Sequence, residues 1–373
     1  MLLSTGVTPQ CRDCARAHSQ IDMALPSEIE CAARSGGQIA ATSDIALYPL
    51  RFEPIFQYCL WGGRCLANFL TAPLPCDGPI GEAWVLSDRA DHPSLVADGP
   101  LKGRTIAQLL AQAPEEMMGE FASRFPRFPL LLKFLDASAM LSVQVHPADW
   151  QTALLPEGES GKTEAWVVLE ASPKSRIYAG LKPGATEERF LKALANRTLA
   201  DELASFTPRA GDAVFLRAGT VHSLGGGIVV FEVQENSDVT FRLDDWNRVD
   251  AMTGRARPLQ IDQALACIDF TQGQVGPVTP RVERTRPILR ERLFQCEHFE
   301  LRRFRGEAPI SVGAAGAPTV LVGIEGAGQI ERAGAIYPLG KGDVMLLPAA
   351  LGACGYQPLG KSGLLEIALP VTQ

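Results

Sequence analysis

Four side chains in the first two-thirds of the sequence have the types and spacing of a metal site. Gln144 and His146 lie two residues apart in the run LSVQVHP, and Glu164 and His222 follow further along the chain. One amide oxygen, one carboxylate and two imidazoles suit a borderline divalent cation such as Zn²⁺. We therefore predict these four as metal ligands for one Zn²⁺ per chain, although a single histidine in an apolar strand is more often an ordinary core residue.

Polar residues alternate with valines in the first part of this pattern. Alternate side chains of a β-strand share a face, so Ser142, Gln144 and His146 should point the same way. The two valines between them would then fill the opposite, packed face. This alternation predicts that one strand presents two of the four ligands.

Three charged residues are predicted to work beside the metal. Lys162 stands two residues before Glu164, so both share a strand face, and Lys162 could bind a phosphate or carry protons, or be a solvated turn lysine. Arg242 follows a long polar face and would stabilise oxyanion charge on a substrate, with Asp238 holding it. Asp238 and Arg242 could equally form a structural ion pair.

The elements that must position these residues are mainly short strands. Apolar runs alternate with turn signals, and the chain has 35 Gly and 27 Pro, which favours a sandwich or barrel over a doubly wound sheet. Helical spacing marks two inserts, at Ile106–Phe125 and after the N-cap Thr186. The predicted strands are Leu47–Phe52, Ala83–Leu86, Leu141–Val145, Ala165–Leu169, Ala213–Leu216 and Ile228–Val233.

The chain is long enough for two cores. We predict a poorly ordered extension over 1–44, a metal-binding domain over 45–271, a Pro- and Arg-rich linker over 272–287 and a second β domain over 288–373. The two domains share a repeat, because GDAVFLRA at Gly211 matches GDVMLLPA at Gly342. At the same offset His222 corresponds to Ala353, so the second copy lacks a metal ligand.

Composition excludes several classes of function. The net charge is −7 with no long basic run, which argues against a nucleic-acid partner. No stretch reaches the roughly 18 uninterrupted apolar residues of a membrane span, and no signal peptide is recognisable. Nine irregularly spaced Cys predict a reducing, cytoplasmic setting, and the isolated pair Cys11 and Cys14 is a weak candidate for a zinc or redox site.

Several ordered motifs together resemble the type I mannose-6-phosphate isomerases, in their shorter bacterial form. They are LWGGR followed by GEAW, then LSVQVHP, GKTEAW, AGTVHSLGGGI and NSDVTFR. The resemblance covers about residues 45–257 and is looser beyond. One departure is Arg217, where the family pattern has proline before Ala-Gly-Thr, in the approach to His222.

The resemblance implies two cupin-type jelly-roll domains with helical insertions. It also implies a zinc-dependent interconversion of mannose 6-phosphate and fructose 6-phosphate through a cis-enediol. Gln144, His146, Glu164 and His222 match the zinc ligands, and Lys162, Arg242 and Asp238 match active-site positions. Ser142 matches a position that contacts substrate phosphate. The group that moves the proton stays open between zinc-bound hydroxide, Lys162 and a carboxylate.

Two other functions fit the residues less well. An Fe²⁺-dependent cupin dioxygenase would usually offer more histidines and keep positions for O₂. A sugar-binding cupin without catalysis would not need the whole polar set. The oligomeric state is open.

Overall fold

The computed structural model describes residues 45–370, and the predicted extension, with Cys11 and Cys14, lies outside them. The described part is mainly β, as the turn-punctuated sequence predicts. Its first half contains eleven strands: β1 (Ile55–Gly63), β2 (Ile80–Leu86), β3 (Leu130–Ala137), β4 (Val143–Val145), β5 (Glu164–Ala171), β6 (Ile177–Leu181), β7 (Leu203–Phe206), β8 (Ala213–Leu216), β9 (His222–Leu224), β10 (Ile228–Glu235) and β11 (Phe241–Asp244).

Ten more strands form the second half of the described chain. The first of them, at residues 281–284, lies inside the predicted linker 272–287. The division into two domains, with its bounds, stays a prediction. These strands are β12 (Arg281–Arg284), β13 (Leu289–Gln295), β14 (Glu300–Gly306), β15 (Ile310–Val312), β16 (Thr319–Glu325), β17 (Ala327–Arg332), β18 (Ala335–Gly340), β19 (Val344–Leu347), β20 (Cys354–Pro358) and β21 (Ser362–Ala368).

Each half builds two antiparallel sheets with corresponding strand orders. In the first half these are β1-β2-β3-β10-β5-β8 and β11-β4-β9-β6-β7, and in the second β12-β13-β14-β21-β16-β19 and β15-β20-β17-β18. The repeated Gly-Asp motifs lead into β8 and β19, the last strands of the two six-stranded sheets. Gly211 and Gly342 both have positive φ, at 91° and 86°, a conformation that glycine adopts without strain. The sequence repeat is therefore a repeat of topology.

Strand β10 lies near the middle of its sheet, and its two faces have different neighbours. Ile228 and Val230 face the interior between the two sheets of the first half, where they join a buried cluster with Trp166. Phe231 and Val233 point the other way, into a larger core shared with helices and with strands of the second half. Alternation along one strand thus separates the space between the sheets from the core that joins the halves.

The helices of the described part are short. They are α1 (Ile106–Gln112), α2 (Pro114–Met118), α3 (Glu187–Ala195) and α4 (Ile261–Cys267), with 3₁₀ turns at Cys65–Asn68, Gly119–Phe121, Leu199–Asp201 and Ala349–Leu351. The insert predicted as one helix breaks after α1 because Ala113 leaves the helical region and proline begins α2. Thr186 caps α3 as predicted, accepting from the Arg189 N–H. No described helix is long and apolar enough to cross a membrane.

The predicted strands are found with small shifts, except the first. Leu50 and Phe52 form isolated bridges to Leu346 and Val96 rather than a continuous strand. The run predicted over Leu141–Val145 is reduced to the three residues of β4. The remaining four predicted runs fall within β2, β5, β8 and β10.

We expect Phe231→Ala to lower the free energy of unfolding by about 3–5 kcal/mol. The ring is fully buried and meets Phe134 edge to face at 5.2 Å between centroids, so truncation leaves a cavity in the core that joins the halves. Chemical denaturation measures the loss. Val282→Ala, at a 53% exposed position, should change stability by no more than about 0.5 kcal/mol. Equal losses in the two variants would contradict this assignment of the core.

Candidate metal centre and active-site cavity

Three adjacent strands of the five-stranded sheet bring a row of polar residues into register. Gln144 on β4 pairs with His222 on β9 on one side and with Arg242 on β11 on the other. Directly paired residues in an antiparallel sheet point to the same face. Residues separated by up to 98 positions in sequence (144 to 242) therefore stand side by side.

Glu164 enters this row from the facing sheet, at the start of β5. Its Oε1 lies 3.2 Å from His222 Nε2, and its Oε2 lies 3.5 Å from His146 Nε2. Gln144 Nε2 is 3.3 Å from the same His222 nitrogen. The three acid and imidazole groups are each at most 2% exposed. The structure thus brings together the four residues predicted as ligands, and three of them form a metal-capable group.

The hydrogen bonds around the two histidines favour a cation at this point. His146 Nδ1 lies 2.8 Å from the Val239 carbonyl and His222 Nδ1 lies 2.9 Å from the Thr220 carbonyl. A carbonyl only accepts, so each Nδ1 carries the proton and each Nε2 presents a lone pair toward Glu164. Glu164 Oε1 is buried and accepts no hydrogen bond from the described residues. Two imidazole lone pairs and a carboxylate oxygen that converge in this way fit a bound cation.

The Ser142 side chain is buried next to this cluster and does not face solvent. It is 1% exposed, and its hydroxyl donates to Gln144 Oε1 at 3.0 Å. The same-face prediction for these two residues is supported by this contact. A half-turn of the amide would aim Oε1 at His222, and the hydroxyl would then accept from Nε2. Ser142 is therefore placed to orient the Gln144 amide, while its predicted contact with phosphate stays a prediction.

Lys162 is buried against the cluster and is not a solvated turn residue. Its Nζ lies 2.8 Å from Glu164 Oε2 and 3.4 Å from His146 Nε2. Burial alone would lower the pKa of Lys162, but Glu164 and Glu232 outweigh it and raise that pKa. Burial would raise the pKa of Glu164, yet Lys162 and His146 hold it well below the usual value. The pair is therefore ionised: an ammonium stands beside a carboxylate.

A cavity of about 270 Å³ opens beside the cluster. Gln144 and Lys162 line it and also touch His222 and Glu164 of the cluster, so the two regions form one site. The remaining wall combines aromatic rings with both signs of charge. It includes Tyr58, Trp61, Glu82, Lys133, Trp166, Glu232, Asp238, Thr240, Arg242, Asp250 and Arg257. A space of this size with polar walls suits a small, hydrophilic, charged molecule.

Lys133 is a cavity residue that the sequence did not reveal. It lies within the apolar β3, 2% exposed, and its Nζ is 3.3 Å from both Glu82 and Asp238 and 4.6 Å from the Trp84 ring centroid. Burial would lower the pKa of Lys133, but these two acids and Glu232 raise it. Asp238 therefore pairs with Lys133, and the expected pairing with Arg242 is not formed.

Glu232 is the second cavity residue whose role sequence did not assign. It is 2% exposed, and Trp166 Nε1 donates to its Oε2 at 2.7 Å. Burial and then the charge of Glu164 raise its pKa to about 7, although Lys162 and Lys133 act in the opposite direction. The sequence shows that Glu232 belongs to an alternating row of polar residues. It does not show that Glu164, Lys162 and Lys133 surround its carboxyl group. A carboxyl that titrates near neutrality suits proton transfer.

Arg242 differs from the other cations of the cavity wall. Among the described residues it has no carboxylate within 4.0 Å, whereas Lys133, Lys162 and Arg257 each have at least one. Its Nε is buried without a hydrogen-bond partner. Burial, and then the charge of Arg257, lower its pKa from the usual value. A half-buried guanidinium on a cavity wall with no carboxylate beside it favours an anionic ligand.

Comparison with known proteins identifies the family. The family described as phosphomannose isomerase type I, catalytic domain, matches residues 50–165. Mannose-6-phosphate isomerase ManA of Bacillus subtilis is 34% identical over 306 residues, which are 82% of this chain and 94% of the relative. The chain belongs to the type I mannose-6-phosphate isomerases. A mannose-6-phosphate isomerase of Streptococcus mutans is 33% identical over 80% of this chain and 92% of its own length.

Solved structures of mannose-6-phosphate isomerases agree in fold. The crystal structure of the enzyme from Bacillus subtilis superposes with a TM-score of 0.78 at 28% identity, covering 86% of this chain and 99% of that one. A variant of phosphomannose isomerase from Salmonella typhimurium gives a TM-score of 0.68 at 16% identity, over 87% of this chain, and supports the fold alone. The chain is therefore an isomerase by family and a mainly β protein by structure.

Proposed function

We propose that this enzyme interconverts mannose 6-phosphate and fructose 6-phosphate with one bound Zn²⁺. The observation that carries the proposal is the convergence of Gln144, Glu164 and two imidazole Nε2 atoms beside a cavity lined by Arg242, a half-buried arginine whose buried Nε has no hydrogen-bond partner. The first feature favours a cation and the second favours an anion. A sugar phosphate bound next to a metal satisfies both.

Gln144, His146, Glu164 and His222 would hold the metal, and Zn²⁺ fits their mixture of imidazole, carboxylate and amide. When bound, such a metal polarises a sugar oxygen as a Lewis acid. The tautomers of both histidines are set by backbone carbonyls, so the ligand geometry is prepared before the metal arrives.

The reaction moves a proton between C1 and C2 through a cis-enediol. Glu232 is the proposed carrier, because it lines the cavity, is buried and can exist in both protonation states near neutrality. The Trp166 N–H fixes one carboxyl oxygen and leaves Oε1 for the substrate. Lys162, 4.0 Å from that oxygen, stays charged and would stabilise the enediolate rather than take the proton.

Arg242 is proposed to bind the negative charge of the substrate, with Arg257 as its neighbour on the wall. Asp238, predicted as catalytic beside Arg242, is proposed instead to act through Lys133, which it holds from the cavity side. Ser142 remains a proposed phosphate contact and, from its hydrogen bond, an orienting group for Gln144.

We also propose that the two sheets of each half form a cupin-type jelly roll. The equal strand orders support this, since β3-β10-β5-β8 corresponds to β14-β21-β16-β19. The domains would span 45–271 and 288–373. The second copy would be structural, because Ala353 stands just before β20 where His222 begins β9.

A coupled assay that detects fructose 6-phosphate formed from mannose 6-phosphate tests the reaction. Activity should disappear on treatment with a chelator and return when Zn²⁺ is added back, because the proposed reaction needs the bound metal as a Lewis acid. A folded, metal-replete sample without activity would exclude the proposal. Iron in the purified enzyme with oxygen consumption would favour the dioxygenase instead.

A further inference from the structure

The segment Gly161–Thr163 carries the active-site lysine and leads directly into the ligand Glu164. Two carboxylates outside the cavity hold its backbone. The Gly161 N–H donates to Asp149 Oδ1 at 2.7 Å, and the Thr163 N–H donates to Glu235 Oε2 at 2.6 Å. Between them, the Lys162 N–H donates to the Pro147 carbonyl at 2.9 Å. All three amides of the segment therefore end on fixed acceptors.

Whereas Asp149 makes one hydrogen bond to this segment, Glu235 makes two. Its own N–H donates to the Thr163 carbonyl at 3.2 Å, so side chain and backbone hold Thr163 from both sides. The residue is 5% exposed and lies on β10 three positions after Glu232. Odd-numbered side chains of β10 face away from the space between the sheets, so this carboxyl group acts from behind the cavity wall.

One residue from the second half of the chain, His298, contacts Glu235. The residue lies in the turn between β13 and β14, and its Nδ1 is 3.3 Å from Glu235 Oε1. Asp149, Glu235 and His298 have the residue types of a cation site. One oxygen of each carboxyl group already accepts a backbone N–H, however, and the remaining Glu235 oxygen faces the imidazole. The arrangement is better suited to fixing a backbone than to binding a metal.

We propose that Asp149 and Glu235 are positioning residues for the isomerase reaction, with His298 holding Glu235 in place. They fix segment 161–163 so that Lys162 and Glu164 project together toward the cavity and the metal. Loss of the attachment would let this pair rotate away while the four ligand residues remain present. The inference rests on the proposed roles of Lys162 and Glu164.

Glu235→Ala should lower kcat and metal affinity by about 10- to 100-fold each, the range for groups that orient metal ligands, with little change in KM. Glu235→Gln should retain most of both, because its amide oxygen can still accept the Thr163 N–H. Glu297→Ala is the matched control: it removes a neighbouring carboxylate that touches His298 at 3.4 Å but is 83% exposed. The control should behave like the wild type.

Metal affinity is measured by competition with a chromophoric chelator, and folding by near-ultraviolet circular dichroism. A folded Glu235→Ala protein with wild-type kcat and metal affinity would overturn the proposal, as would equal losses in the Gln and Ala variants. If Glu235→Ala does not fold, Asp149→Ala decides, since its side chain is exposed. Wild-type values there would also overturn it. Failure of the proposed function would show separately, as an inactive wild type.

Discussion

Replacing Glu164 with glutamine is expected to release the metal and lower kcat by about a thousandfold or more. The carboxylate is the one anion among the four proposed ligands, and it also neutralises Lys162 at 2.8 Å. Glutamine keeps the shape and removes the charge, so both the cation and the ammonium lose their partner in a buried place. A metal that supplies several kcal/mol of transition-state stabilisation accounts for a loss of this size.

Glu170→Gln provides a matched control for this experiment. Glu170 lies on the same strand, β5, and carries the same charge, but its side chain is exposed. Metal content after dialysis and kcat should both equal those of the wild type. If Glu164→Gln retains stoichiometric metal with normal turnover, then Glu164 is not a ligand and the proposed centre is wrong.

Arg242→Ala is expected to lower kcat/KM by about 100- to 1000-fold while the metal stays bound. The size follows from removing one charged donor that faces developing negative charge. Metal should be retained because the guanidinium makes no contact with the cluster of histidines, although its backbone pairs with Gln144. The measurement combines steady-state kinetics with metal analysis of the same preparation.

Two further variants make the Arg242 result specific. Arg242→Lys keeps the charge but loses the planar, two-pronged donor, so it should fall between wild type and alanine. Arg176→Ala removes an exposed arginine and should have no effect. Normal turnover in Arg242→Ala would remove this residue from the active site, and loss of metal would show that it supports the cluster instead.

Part of the proposed ligand set could be placed on common strand faces from sequence, because its signals are local. The alternation Ser142, Gln144, His146 reports a strand face directly, and Lys162 with Glu164 reports another. Residue type singled out His222 and Arg242, and the family resemblance supported both, but nothing local to either residue states which strands it meets. The structure places Gln144 between these two residues.

Lys133 could not be found in this way, because a lysine inside an apolar run normally marks a break in a core strand. Its partners Glu82 and Asp238 lie 51 and 105 positions away along the chain (133 − 82; 238 − 133). The same long-range pairing explains the wrong expectation for Asp238. Proximity in sequence suggested Arg242, four residues on, whereas the sheet order brings β3 next to β10.

The different neighbours of the two faces of β10 restrict where insertions and deletions can occur in this chain. A shift of one residue in the pairing register of β10 would turn Phe231 and Val233 toward the cavity. It would also turn Glu232 and Gln234 toward the apolar core. Neither side could tolerate the exchange, since a buried ionised carboxyl without partners costs several kcal/mol. Insertions or deletions near this strand must therefore be absorbed in its flanking turns. We expect natural length variation among relatives to stop at both ends of the strand.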